Sequence, residues 1–319
     1  MRLIQLPVET SIPFMRYRKV AAFGSLIASI ASVLLFMLVG LNFGIDFRGG
    51  TLVELRFETG PVDVGSVRQR IGTLDLGDTQ IQEFGSPEDV LIRVERQPGG
   101  EEEQQIAVQR LRDTFGAEAE FRRVEVVGPR VSGELARAGT IAVIAALLAI
   151  MAYIWLRFEW HFAVGAVVTT FHDVVLTIGM FAVLQIGFDL ASIAAILTIV
   201  GYSLNDTVVV YDRVRENLRR YKKMPMAELI DHSINQTLSR TTMTSLTTLL
   251  ALIALFIFGG EVIRSFTFAM IFGVVVGTYS SVFIAAPLLI TLKLRADRMP
   301  TEVDDGGEKA AESAADSRA

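Results

Sequence analysis

Six apolar runs, at about 20–41, 138–156, 162–186, 189–211, 241–259 and 264–292, limit what this chain can fold into. Each is close to the roughly 20 residues an α-helix needs to cross a bilayer. Hydrophobic residues make up 51% of the 319 in the chain, too many for an ordinary soluble domain. The basic residues set the orientation. Arg2, Arg16, Arg18 and Lys19 precede the first run, and Arg157 separates the second from the third. Arg213, Arg215, Arg219, Arg220, Lys222 and Lys223 follow the fourth, and Lys293, Arg295 and Arg298 follow the sixth. The opposite loops hold little more than Asp189, Glu261 and Arg264, so both termini are expected in the cytoplasm. The first run is too long for a signal-peptide core and lacks a small-x-small cleavage site, which predicts a retained anchor.

That topology puts residues 42–133 outside. Alternation over Thr51–Phe57 predicts a strand, and Val64–Leu74 reads as a short helix. Strands follow at Thr79–Phe84 and Val90–Glu95, then a turn at Pro98-Gly99-Gly100. Glu101–Phe115 is predicted helical, with Ile106, Val108, Leu111 and Phe115 as its apolar side, and Glu118–Val127 closes as a strand. The order β-α-β-β-α-β is that of a ferredoxin-like domain. The predicted fold is therefore an α-helical polytopic membrane protein of six transmembrane helices with a small α+β ferredoxin-like domain. Its expected divisions are a cytoplasmic N-terminus at 1–19, the first span at 20–41, the outer domain at 42–133 and a five-helix bundle at 134–295. The bundle includes a cytoplasmic connector at 213–238, broken at Met224-Pro225 into two possible helical pieces, whose basic residues could face anionic membrane lipid or simply be solvated. The acidic, small-residue tail at 296–319 is expected to be disordered.

The stretch from Gly201 to Arg213 carries the sharpest chemistry. Asp206 lies seven residues before Arg213, about two helical turns deep at ~1.5 Å per residue. Insertion scales put an Asp at about +2.5 to +3.5 kcal/mol at a helix centre, so this carboxylate needs a partner, a proton or water. In the fifth run Arg240, Thr244, Thr247, Thr248 and Ala251 share one helical face, a polar stripe leading from a cation. The fourth span runs inward and the fifth outward, so Asp206 and Arg240 should lie at similar depth and could meet. Burial disfavours a charged carboxylate and a guanidinium favours it; where the two nearly balance, a small shift could switch Asp206 between charged and neutral. The alternatives are a static ion pair that locks two helices, or an Arg240 that snorkels while Asp206 faces water. Asp173, beside His172 in the third run, is a further candidate for the relay, or else it fixes a backbone or Thr group between helices.

Asn42-Phe-Gly-Ile-Asp-Phe-Arg-Gly-Gly-Thr51 follows the first run. Its glycines permit a sharp turn and close approach, and Asp46 and Arg48 are candidates to brace the outer domain on the membrane helices; a plain turn into the strand fits equally. At the re-entry, Ser132 is expected to cap the second membrane helix, with Glu134 in its first turn. The chain has no cysteine, its three histidines have no i, i+4 pairing, and no GxxxxGK[ST] loop is present. No metal, cofactor or ATP site is expected, and nothing points to an enzyme.

These stretches together resemble the SecF family, the smaller membrane subunits of the bacterial SecDF protein-export complex. The resemblance rests on Gly44-Ile-Asp-Phe-Arg-Gly-Gly-Thr51, Val127-Gly-Pro-Arg-Val-Ser132, Phe171-His-Asp-Val174, Gly201-Tyr-Ser-Leu-Asn-Asp-Thr207 with Asp212-Arg213, and Ser233-Ile-Asn-Gln-Thr-Leu-Ser-Arg-Thr241. The outer region of roughly ninety residues favours SecF over SecD. The family is related to the resistance-nodulation-division (RND) transporters. The resemblance implies a multi-pass protein of the bacterial inner membrane whose outer domain is periplasmic. It implies SecD as partner, the SecYEG translocon and an exported unfolded polypeptide as associates, and the proton motive force as energy source. It maps the family's proton-linked Asp and Arg onto Asp206 and Arg240. No nucleic-acid partner is expected. The competing readings are half of an RND-type small-molecule or lipid exporter, which would want a larger outer domain, and a structural scaffold.

Overall fold

A computed structural model describes residues 10–58 and 60–294. Six of its helices are long and apolar enough to cross a membrane: α1 (Arg18–Leu38), α5 (Pro129–Arg157), α6 (Trp160–Leu184), α7 (Leu190–Arg220), α8 (Met226–Phe258), and α9 (Arg264–Ser280) continued by α10 (Ala286–Thr291). The protein is a multi-pass membrane protein with a small α+β domain between its first and second spans.

That domain holds β1 (Gly50–Phe57), α3 (Val64–Gly72), β2 (Thr79–Phe84), β3 (Ser86–Val94), α4 (Glu101–Phe115) and β4 (Ala119–Val127), preceded by one turn of helix, α2 (Ile45–Arg48). Its antiparallel sheet runs β2-β3-β1-β4, the ferredoxin-like order. Asp63 starts α3 by accepting from the backbone N–H groups of Gly65 and Ser66 at 2.9 and 3.2 Å. Alternate residues of β1 and β3, including Val53, Leu55, Val90 and Ile92, meet Val67, Ile71, Leu111 and Phe115 in one core. The inward side of α4 is Gln104, Ala107, Leu111 and Phe115, whereas Ile106, expected inside, is 40% exposed. A polar residue displaced it, because the buried Gln104 amide donates to Thr51 Oγ1 at 2.6 Å and its carbonyl accepts from Gln97 N.

In the bundle, α7 and α9 pack closest. A Cβ on Gly273 would lie 2.3 Å from Ile199, and one on Gly277 would lie 3.0 Å from Ser203, so small residues let the two backbones approach. α1 lies on α6, where a Cβ on Gly179 would strike Ser32. One apolar core surrounds Phe162, Tyr211, Leu218 and Leu229, and a second surrounds Phe181, Phe188 and Ile199 near the small domain. The sixth span is broken. A π-helical turn at Ser281–Ala285 precedes Pro287, which cannot donate to the helix ladder.

The two pieces of the connector on either side of Met224-Pro225 are helical: α7 continues to Arg220 and α8 begins at Met226, so only residues 221–225 lie outside the two helices. One helix start differs from expectation. α5 starts at Pro129 with Gly128 as its N-cap; Ser132 sits buried inside the first turn instead of capping it. Proline's fixed φ suits that opening position, and the cap lies four residues earlier than expected. The predicted tail at 296–319 lies outside the described residues.

Candidate functional site

Asp206 lies on the face of α7 turned toward α9 and is 2% exposed. Its carboxylate is within hydrogen-bonding reach of the Thr278 hydroxyl and within electrostatic reach of Arg240, while its Oδ2 has no hydrogen-bond partner. Thr278 also donates to Val274 O at 2.8 Å, and its Oγ1 lies 2.7 Å from Ser245 Oγ. Tyr202 in turn donates to Ser245 at 3.3 Å. A hydroxyl chain therefore runs from Tyr202 through Ser245 to Thr278, whose hydroxyl faces Asp206, linking α7, α8 and α9. Thr278 has one proton for two acceptors, the Asp206 carboxylate and the Val274 carbonyl. Thr207 Oγ1 and Thr241 Oγ1, both buried, also lack partners and flank this chain.

Arg240 and Asp206 do not form an ion pair among the described residues. The cation sits on an exposed face of α8, and Thr244 and Thr247 of the expected stripe are exposed with it. The polar residues of α8 that turn inward are Ser233, Asn235, Thr237, Thr241 and Ser245. The exposed threonines satisfy themselves within the helix: Thr244 donates to Arg240 O at 3.1 Å and Thr247 to Met243 O at 2.9 Å.

Asp173 is fully buried in α6 and saturated with donors. Its Oδ2 accepts from Ser203 of α7 at 2.5 Å and from Ser280 of α9 at 2.7 Å, and its Oδ1 lies 2.8 Å from His172 Nδ1. Ser203 is one turn before Asp206 and Ser280 two residues after Thr278, so Asp173 fixes the two helices that frame the Asp206 site. The serines gave no sign in the sequence, since a serine in an apolar run can also bond its own backbone.

The segment after α1 is docked on the start of α7. Gly44 N donates to Phe188 O and Phe188 N to Asn42 O, both at 2.8 Å. Phe43, Phe47, Phe181 and Phe188 pack edge-on or tilted, with centroids 5.2 to 5.9 Å apart. Asp46 Oδ2 accepts from Leu190 N at 3.0 Å. Arg48 lies over the Phe43 ring at 6.0 Å. Gly49 and Gly50 take φ of +73° and +121°, and a Cβ on Gly50 would lie 2.4 Å from Val94 O, so this turn into β1 requires glycine. From the sheet, Arg93 donates to Asn42 Oδ1 at 3.1 Å. Burial, helped by Arg48 and opposed by Asp189, holds its guanidinium below the ordinary range; it remains charged at neutral pH.

A bundle of six spans, an inserted ferredoxin-like domain and a buried carboxylate at the junction of three spans are the parts of a membrane transport component. The chain matches the family model described as protein export membrane protein SecD/SecF, C-terminal, over residues 107–295, and the SecD/SecF GG motif over residues 35–61. It is 45% identical to the protein translocase subunit SecF of Rhodobacter capsulatus, covering 95% of this chain and 96% of that one. Identity to the protein translocase subunit SecDF of Brucella abortus is 48%, over 96% of this chain and 40% of that one. The crystal structure of SecDF from Thermus thermophilus, described as a translocon-associated membrane protein, superposes with a TM-score of 0.82 at 36% identity. That match covers 92% of this chain and 40% of the Thermus chain. A SecDF structure in a super-membrane-facing form gives 0.67 at 35% identity. The chain belongs to the SecD/SecF family of protein export membrane proteins. It spans nearly the whole SecF relative and about two-fifths of the SecDF relatives.

Proposed function

We propose that this chain is the SecF-type subunit of an inner-membrane complex that uses the proton gradient to assist Sec-dependent export. It pairs with a SecD-type partner, works beside a SecYEG-type translocon, and has both termini in the cytoplasm with its small domain in the periplasm. Asp206 is the group that takes up and releases the proton. Arg240, unable to lose its own proton, biases that carboxylate from α8. Thr278 turns its hydroxyl to Asp206 when the carboxylate is charged and back to the Val274 carbonyl when it is neutral. Helix α9 is thereby held to α7 in one state and loosened in the other. Asp173 braces the frame in which this exchange occurs.

The observation that carries this reading is a carboxylate 2% exposed between membrane helices, with one oxygen unpartnered and a cation in reach without direct contact. A static lock would close that pair. The test is Asp206→Asn, scored by export of a secreted protein in energised cells after normal abundance and co-purification with the SecD-type partner are confirmed. Loss of export with an intact complex is expected. Full export would leave a structural subunit.

A further inference from the structure

Two carboxylates serve the first turn of α7. Asp189 is its N-cap, accepting from Ser192 N at 2.8 Å within a capping box. Asp46 Oδ2 accepts from the next free backbone donor, Leu190 N, at 3.0 Å. A helix start needs its exposed N–H groups satisfied, and an anion there gains from the helix dipole. Asp46, however, comes from 144 residues earlier, in the short helix that leads into the sheet.

From Asp46 to the sheet there is little slack. Four residues on, Gly50 opens β1, paired on both sides and with its missing side chain pressed against Val94 O. The Asn42 backbone bonds Phe188 and its side chain accepts from Arg93 of β3, so the sheet is tied twice to the loop before α7. From Leu190, α7 runs unbroken through Ser203 and Asp206 to Arg220. Leu190 and Asp206 are 16 residues apart, a rod of about 24 Å at ~1.5 Å per residue.

We propose that Asp46 is a positioning residue that couples the small domain to α7, so that a displacement of α7 at Asp206 is delivered to the domain as a tilt. The inference rests on Asp206 being the proton-exchanging group. Its chemistry needs only a hydrogen-bond acceptor at residue 46: an amide oxygen serves, a methyl group does not.

The chain contains no cysteine, so two introduced cysteines label uniquely. Gln109 on α4 and Val262 between α8 and α9 are both exposed. Spin labels there, in the complex with its partner subunit in lipid nanodiscs, report the domain-to-bundle distance. Asp206→Asn, a permanently neutral side chain, is expected to shift that distance distribution relative to the native carboxylate. Asp46→Ala should shrink the shift, the Asn42 links remaining, and speed hydrogen exchange at Leu190 N–H, while Asp46→Asn should preserve both the shift and the protection. A shift undiminished by Asp46→Ala, or no shift with Asp206→Asn, overturns the coupling. Export by the Asp206→Asn variant, measured separately, tests the proton-driven reading by itself: full export with a persistent distance shift would reject that reading and keep the mechanical link.

Discussion

The hydroxyl of Tyr211 in α7 donates to the carbonyl oxygen of Ala285 at 3.0 Å, joining α7 to the π-helical turn of the sixth span. The same hydroxyl occupies the space over Gly165 of α6, where a Cβ would lie 2.1 Å from Oη and 3.2 Å from Cζ. One oxygen thus sets the spacing of three spans.

Tyr211→Phe removes that bond and should cost about 0.5–1.5 kcal/mol, the usual net worth of a neutral hydrogen bond. Gly165→Ala should cost more, because the buried ring has nowhere to retreat. The double variant should cost less than the sum, since deleting the hydroxyl removes the worse contact and leaves one at 3.2 Å. Thermal unfolding of the four proteins in one detergent completes the cycle. Simple additivity would mean that Gly165 and Tyr211 do not share this space.

Outside the membrane, Arg70 donates to Glu118 at 2.7 Å and to Thr114 O at 2.6 Å and lies over the Phe115 ring at 4.4 Å. The hydrogen bond from Arg70, and then its charge, hold the exposed Glu118 carboxyl below its ordinary value near 4.5. A depressed native value means that the pair's contribution is fully present above the unfolded value and fades as pH falls through the lower native one. The Glu118 carboxyl carbon shift, followed through an acid titration, should therefore show a midpoint below 4.5, returning toward 4.5 in Arg70→Gln. An unchanged midpoint in that variant would discard Arg70 as the cause.

Much of this architecture can be read from the chain because lipid imposes simple rules. Apolar length marks the spans, and period-2 alternation marks the strands around Val53 and Ile92. Those rules state which residues share a face, but they do not say where a face points. For α8 the sequence groups Arg240 with Thr244 and Thr247, yet Thr237, Thr241 and Ser245 face the bundle. Lipid and protein core are equally apolar, so polarity alone cannot choose between them, and a threonine that bonds its own helix tolerates either. Contacts of long range were invisible for another reason. Asp173 finds Ser203 and Ser280 across 30 and 107 residues, and nothing local in an apolar helix marks a serine as a partner.

Near the N-terminus the chain is held as a strap by α8. Asn235 accepts from Ile12 N at 3.0 Å and donates to Ile12 O at 2.9 Å, while Asp231 accepts from Met15 N at 2.8 Å. Met15 enters the core beside Leu229 and Ile230, and Phe14 packs edge-on against Phe283. Asn235→Ala leaves the Ile12 N–H without its acceptor, at about 1–3 kcal/mol where it stays buried, while Ile12 O keeps its bond from Phe14 N at 3.1 Å. Hydrogen exchange at Ile12 and modification of a cysteine placed at Met15 should both accelerate well before the bundle unfolds. Equal rates in variant and native protein would show that Met15 and Phe14 hold the strap without Asn235.

Asp173 offers the sharpest separation of bracing from proton transfer. Its Oδ2 receives both serines and its Oδ1 faces His172 Nδ1. An asparagine can reproduce this set: the amide oxygen accepts from Ser203 and Ser280, and the amide nitrogen donates to His172 once that ring carries its proton on Nε2. Asp173→Asn therefore keeps the geometry and removes the titratable group. Asp173→Leu, similar in size, strips the serines of their acceptor between α7 and α9. Export in energised cells should stay near the native rate in Asp173→Asn and fall in Asp173→Leu, with weaker retention of the SecD-type partner. Asp206→Asn, by contrast, should lose export while the complex persists. If Asp173→Asn instead abolished export from an intact complex, the proton would have to visit Asp173, and the relay would extend from α7 into α6.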